Sequence, residues 1–181
     1  MHVSLDGFVA GPNGEMDWIK LDEEMFDLVG GFTNEADTAL YGRVTWQMMD
    51  SYWPAAGDQP NASKHDIEHS QWYNRVNKLV LSKTMRSEKI DKTKIISDNV
   101  FSEINSFKQA PGKNVMIFGS PRAAHSLMEY NLIDEYWLFV NPVLLGQGIP
   151  LFANLKTRVN LKPLETKVFA CGVTALHYSI E

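Results

Sequence analysis

The chain has 181 residues, 44% hydrophobic and 22% charged, which suits one globular domain with a sizeable core and makes two full domains a tight fit. Its formal charge of -5 is spread along the sequence, without a run of Lys and Arg interleaved with aromatics, so no nucleic-acid partner is expected. No apolar stretch reaches the roughly 18 residues of a spanning helix, no signal core follows a basic flank, and Cys171 stands alone; the expected setting is the cytoplasm, with no membrane and no internal disulfide.

In chain order, Met1 to Leu5 reads as a strand remnant, and Asp6-Gly7 with Gly11-Pro12-Asn13-Gly14 reads as turn and surface-loop chemistry. From Asp22 to Val29, Met25, Phe26 and Val29 recur at helical spacing behind acidic residues, and Gly30-Gly31 is expected to end that helix. Thr38 to Tyr41 is a short strand, after which Gly42 opens a helix running toward Trp53 that Pro54 is expected to stop. Ser63 to Val76 is a polar helix, Lys78 to Leu81 and Lys94 to Ser97 are strands, and Phe101 to Lys108 is helical. Val115 to Phe118 is an unbroken apolar run of the central parallel-strand type, and it feeds a helix from Arg122 to Tyr130. Asp134 to Val140 and Val168 to Ile180 are late strands, more naturally antiparallel, with Cys171 as a small residue on the second. With no repeat or linker, the expectation is one domain over residues 1–181: a three-layer αβα fold with a mostly parallel sheet and an antiparallel C-terminal edge.

Chemistry in such a sheet belongs beyond the carboxyl ends of its strands. Three segments fit that place. In the first, Gly42 leads into a helix start where free N–H groups, the Thr45 hydroxyl and the Arg43 guanidinium suit a phosphate, although a turn glycine beside a solvated Arg explains the same residues. In the second, Ser82, Lys83 and Thr84 give a strand end two hydroxyls and an ammonium. In the third, Gly119 permits close backbone approach and Pro121 suits a first helical turn, with Ser120 and Arg122 around it; the G-x-G-x-x-G spacing of a Rossmann fingerprint is absent.

Ser4-Leu5-Asp6-Gly7-Phe8-Val9-Ala10, Gly42-Arg43-Val44-Thr45-Trp46, Leu81-Ser82-Lys83-Thr84 and Phe118-Gly119-Ser120 together resemble, in order and spacing, the motifs of the dihydrofolate reductase superfamily. The stretch from Leu132-Ile133-Asp134-Glu135-Tyr136 through Asn141-Pro142 to Gly146-Gln147-Gly148 resembles the C-terminal reductase domain of the riboflavin deaminase-reductase. That resemblance implies an NADPH-dependent reductase of a small heterocyclic or carbonyl substrate. It further implies that Gly42, Arg43 and Thr45 hold cofactor phosphates, that Ser82, Lys83 and Thr84 surround the 2'-phosphate, and that Gly119, Ser120, Pro121 and Arg122 approach the diphosphate. Val9 and Ala10 are implied at the nicotinamide end. Two departures stand out: few residues precede Asp6, and Ser120 replaces the second glycine of dihydrofolate reductases, so the strained glycine pair is absent.

For catalysis, the substrate-gripping carboxylate of dihydrofolate reductases matches Glu24 best, with Asp6 as competitor; Asp22, Glu23 and Glu24 also read simply as a helix start. His65 and His69 lie four apart on a helix without a third ligand and read as a solvated face, so no metal is expected. Trp46, Tyr52, Trp53, Trp72 and Tyr73 read as core and groove wall. The apolar run Tyr136 to Phe139 is expected to leave an exposed edge, and hence a homodimer, as the resemblance also implies. A non-catalytic nucleotide-binding or regulatory protein of the same fold is the alternative.

Overall fold

The structure, a computed structural model, describes residues 1–86, 89–153 and 155–181. In chain order the elements are β1 His2–Ser4, β2 Phe8–Ala10, α1 Glu23–Asn34, β3 Ala36–Gly42, α2 Arg43–Ala56, α3 Lys64–Arg75, β4 Asn77–Leu81 and β5 Thr93–Ile96. They continue with α4 Val100–Gln109, β6 Asn114–Ile117, α5 Pro121–Glu129, β7 Glu135–Asn141, β8 Ile149–Pro150, β9 Leu161–Val168 and β10 Thr174–Ile180. The chain divides into two compact units, Met25–Ser120 and the combination of Met1–Glu24 with Pro121–Glu181.

The Met25–Ser120 unit is built on a parallel sheet of four strands in the order β5-β4-β3-β6. Apolar runs buried on both faces make the two central strands, β3 and β4, where Ala39, Leu40, Tyr41, Leu79 and Val80 are almost wholly inaccessible. Trp72 of α3 packs on them and donates its indole N–H to the Ala36 carbonyl at 3.2 Å. A capping box of Ser63 and Asp66 starts α3, satisfying two backbone N–H groups that the first turn leaves free. Two expected stops do not occur. Helix α1 runs through Gly30-Gly31 to Asn34, because the inward face begun at buried Met25 continues to buried Thr33. Pro54 sits in the last turn of α2, where it has no N–H to give the Asp50 carbonyl; the inward packing of Trp53 and Ala56 carries the helix two residues past it before it ends.

The other unit carries a four-stranded sheet in the order β1-β7-β10-β9, in which β1 and β7 are parallel and β10 is antiparallel to both its neighbours. Val3, Val9, Ala124, Met128 and Leu151 form a core cluster here. The single strand expected over Val168 to Ile180 is instead the end of β9, a turn and β10. Gly172, at φ +89, donates to the Phe169 carbonyl, and Cys171 lies in this turn, not on a strand. Strand β9 escapes sequence reading because an edge strand has little to bury: it carries Lys162, Pro163, Glu165 and Lys167. Short β2 and its antiparallel partner β8 lie where loop was expected. The run Tyr136 to Phe139 is covered within the unit: Tyr136 and Leu138 join the core cluster, Phe139 is buried, and Trp137 stacks on His177 at 4.1 Å. The class is the expected one, mixed α/β with a parallel sheet and an antiparallel C-terminal edge.

Candidate active site

In the parallel sheet the register sets Gly42 beside Leu81 and Leu81 beside Ile96, with Leu40 beside Ile117, so the carboxyl ends of all four strands meet along one edge. Helix α2 starts there. Gly42 is its N-cap, with extended backbone and no side-chain cap, so its first-turn N–H groups lack both intrahelical and side-chain acceptors. The turn after β6 lies against this start: a Cβ built on Gly119 would sit 3.6 Å from Thr45 Cγ2, and Ser120 Oγ accepts the Gly42 N–H at 2.9 Å. Gly119 at φ +60 and Ser120 at φ +58 are both left-handed. The paired left-handed turn thus persists with serine in its second position, where the hydroxyl bond to Gly42 offsets the strain of a Cβ in that conformation.

Ser82 and Thr84 close their own turn at the end of β4: Ser82 Oγ accepts the N–H groups of Thr84 and Met85 at 3.2 and 3.0 Å. Lys83 projects from that turn, exposed and without an ion pair among the described residues. Arg43 is exposed and donates to Gln47 Oε1 at 3.1 Å. His65 and His69 are not a solvated pair: His69 is buried, its ring centroid 4.0 Å from Trp53 and 5.5 Å from Phe118, while His65 stacks on Phe26 at 4.0 Å. Burial lowers the His69 pKa to about 3. Of the five aromatics, Trp46, Trp72 and Tyr73 are core, Trp53 is partly buried, and Tyr52 is exposed with its hydroxyl on Asp66. Among the described residues no cluster of three His, Cys, Asp or Glu is placed to hold a metal.

In the other unit, Val9 and Ala10 are buried on β2, where an irregularity leaves Val9 without a partner on β8. Asp6 is a fastener. It accepts from Ser4 Oγ at 2.6 Å, from the Leu145 N–H on both oxygens at 3.1 Å and from the Gly146 N–H at 2.7 Å. The Ser4 hydroxyl and these backbone bonds hold its carboxyl below the usual range, which leaves it no proton to give near neutrality. Glu24 lies exposed in the first turn of α1, and its Oε1 pairs with Lys167 Nζ of β9 at 2.9 Å. Pro121 occupies the first position of α5, and Arg122 beside it is exposed. Sequence reading gave no role to Asn141, which is fully buried at the end of β7: its Oδ1 accepts the Lys20 N–H at 2.9 Å and its Nδ2 donates to the Phe139 carbonyl at 3.0 Å. A polar residue closing an apolar strand was the available signal.

A parallel sheet with a helix start and a left-handed turn at its carboxyl edge, together with an antiparallel C-terminal strand pair, defines the dihydrofolate reductase-like α/β class. Residues 1–175 match the model of the RibD C-terminal domain, and the chain belongs to that family. It is 38% identical to the uncharacterized protein YyaP of Bacillus subtilis (strain 168), over 97% of this chain and 90% of that one. Its fold is shared with the diaminohydroxyphosphoribosylaminopyrimidine deaminase/5-amino-6-(5-phosphoribosylamino)uracil reductase of Thermotoga maritima, at TM-score 0.66 and 13% identity, covering 99% of this chain and 55% of that one. It is also shared with dihydrofolate reductase from Enterococcus faecalis, solved with NADP(H), at TM-score 0.63 and 14% identity, over 99% and 93% of the two chains. The chain is a reductase-like domain related to the reductase of riboflavin biosynthesis. Among the described residues no helix is long and apolar enough to cross a membrane.

Proposed function

We propose that the protein is an NADPH-dependent reductase of a small heterocyclic or carbonyl substrate, of the kind that reduces 5-amino-6-(5-phosphoribosylamino)uracil or dihydrofolate. The observation that carries this reading is the left-handed Gly119-Ser120 turn fastened to the uncapped start of α2 at Gly42. Uncapped N–H groups beside a turn that admits close approach suit phosphate oxygens, and Arg43 and Thr45 add a charge and a hydroxyl. NADPH, when bound, supplies the hydride. We assign the exposed Lys83 to the 2'-phosphate, with Ser82 and Thr84 shaping its turn. In the other unit we assign Pro121 and Arg122 to the diphosphate, Val9 and Ala10 to the nicotinamide end, and Glu24 to the polar edge of the substrate. The single family match over residues 1–175 supports one domain. We further propose association of two copies through Leu164 and Val168, exposed on edge strand β9. A cytoplasmic setting is proposed on the family's habit.

Following NADPH oxidation across a panel of pterins, pyrimidines and carbonyl compounds tests the activity directly. Lys83→Ala is expected to weaken NADPH binding by about tenfold or more, the worth of one charge-assisted phosphate contact, and to leave NADH binding nearly unchanged. Equal losses for both cofactors would remove Lys83 from the 2'-phosphate. With an active substrate in hand, Glu24→Gln should lower turnover by roughly tenfold at unaltered NADPH affinity, while Asp22→Asn and Glu23→Gln change little. The non-catalytic alternative is favoured by one observation, that Asp6 and Glu24 are both engaged by the protein itself. It predicts NADPH binding with no turnover on any panel member.

A further inference from the structure

In the unit that contains β7, a cavity of about 320 Å³ opens at the start of that strand. Its walls are apolar, with Ile133, Tyr136, Phe152, Leu161 and Ile180 among them, and Tyr136 and Phe152 meet edge to face at 5.9 Å. Phe152 and Leu155 stay 42% and 46% exposed at its rim, so water-accessible apolar surface is kept open there. One lining residue is charged. Arg158 is exposed and makes no hydrogen bond or ion pair among the described residues, whereas the nearby Lys156 is neutralised by Glu129 at 2.5 Å. The Asn131 and Thr157 side chains complete the polar part of the lining.

We propose that this cavity is a second small-molecule site, taking an aromatic or branched aliphatic monocarboxylate whose apolar body fills the cavity and whose carboxylate meets Arg158. The volume lies at the lower end of the ~300–1,000 Å³ usual for ligand sites, which limits the guest to about one fused ring system. An unpaired guanidinium on an otherwise apolar lining selects a planar anion through paired N–H donors. The cavity lies apart from the candidate carboxylate Asp6, which bonds to Ser4 beside Asn141 at the far end of β7, about 20 Å away along the strand.

Isothermal titration of the full chain with 1-naphthoate, and with naphthalene-1-methanol as its uncharged counterpart, tests the inference. Saturable binding of one naphthoate per chain is expected, about tenfold tighter than the alcohol, with Arg158→Ala erasing that preference and leaving the alcohol unaffected. Saturating NADPH should not displace the naphthoate. Any of three results overturns the proposal: no saturable binding, an unchanged preference in Arg158→Ala, or competition with NADPH. A dimer that Phe152→Glu dissociates also overturns it, since a second copy would then cover the cavity.

Discussion

Acidification from pH 6.5 to pH 5 is expected to remove about 3 kcal/mol of folding stability through two histidines alone, a large share of the 5–15 kcal/mol typical of a domain. Burial lowers the pKa of His69 from 6.5 to about 3, and that of His2 to about 4. Both are therefore neutral in the folded chain over this range, while the unfolded chain takes up a proton at each as pH falls below 6.5. Their contribution is complete above pH 6.5 and is lost downward toward pH 4 for His2 and pH 3 for His69, at a limiting slope of about 1.4 kcal/mol per pH unit each. The pH 5 limit keeps the measurement above most carboxylate titrations. His69→Phe keeps an aromatic ring against Trp53 and Phe118 without the proton, and should lower the pH slope of stability in urea titrations by about 1 kcal/mol per pH unit. A slope identical to that of the parent would mean that His69 titrates normally and is not enclosed as described.

Gly148→Ala should be the most damaging single-methyl change among the glycines. A Cβ at Gly148 would sit 2.2 Å from the Ala10 carbonyl oxygen and 3.3 Å from Phe8 Cβ, and the first of these is backbone, which cannot rotate away. Relief requires β8 to leave β2, with loss of the Phe8–Pro150 and Ala10–Ile149 pairs and disturbance of Leu151, which is buried and bonds to the Gly7 carbonyl at 2.9 Å. A cost of about 3 kcal/mol is expected, or roughly 6 to 12 °C in Tm for a chain of this length. Gly146→Ala is the control: its backbone is left-handed at φ +74 but nothing lies within 4 Å of its Cβ, so only about 1 kcal/mol of backbone strain is at stake. If Val9 and Ala10 hold the nicotinamide end, Gly148→Ala also weakens NADPH binding, whereas Gly146→Ala does not. Equal melting temperatures for the two variants would defeat the steric account.

By itself the sequence determined the parallel strands, the helices that follow them, and the glycine-marked turns at Gly42 and Gly119. Each rests on local chemistry: strands such as Ala39 to Tyr41 declare burial on both faces by being apolar throughout, and the Ser63 capping box needs only four consecutive residues. Turn and cap preferences act within a few bonds, so they survive the move from chain to fold. Tertiary structure alone decided which polar groups are free to do chemistry. Asp6 reads as an accessible carboxylate until Gly146, 140 positions later, donates to it, and nothing near Glu24 in the sequence announces that Lys167 pairs with it. His69 is one of several polar residues on α3 until Trp53 and Phe118 enclose it and suppress its charge. Strand β9 is similar, since an edge half in water takes its register from its neighbour β10 and not from its own hydrophobic pattern. Partners far apart in sequence leave no periodic or local signature; burial, charge state and hydrogen-bond availability belong to the folded arrangement that brings them together.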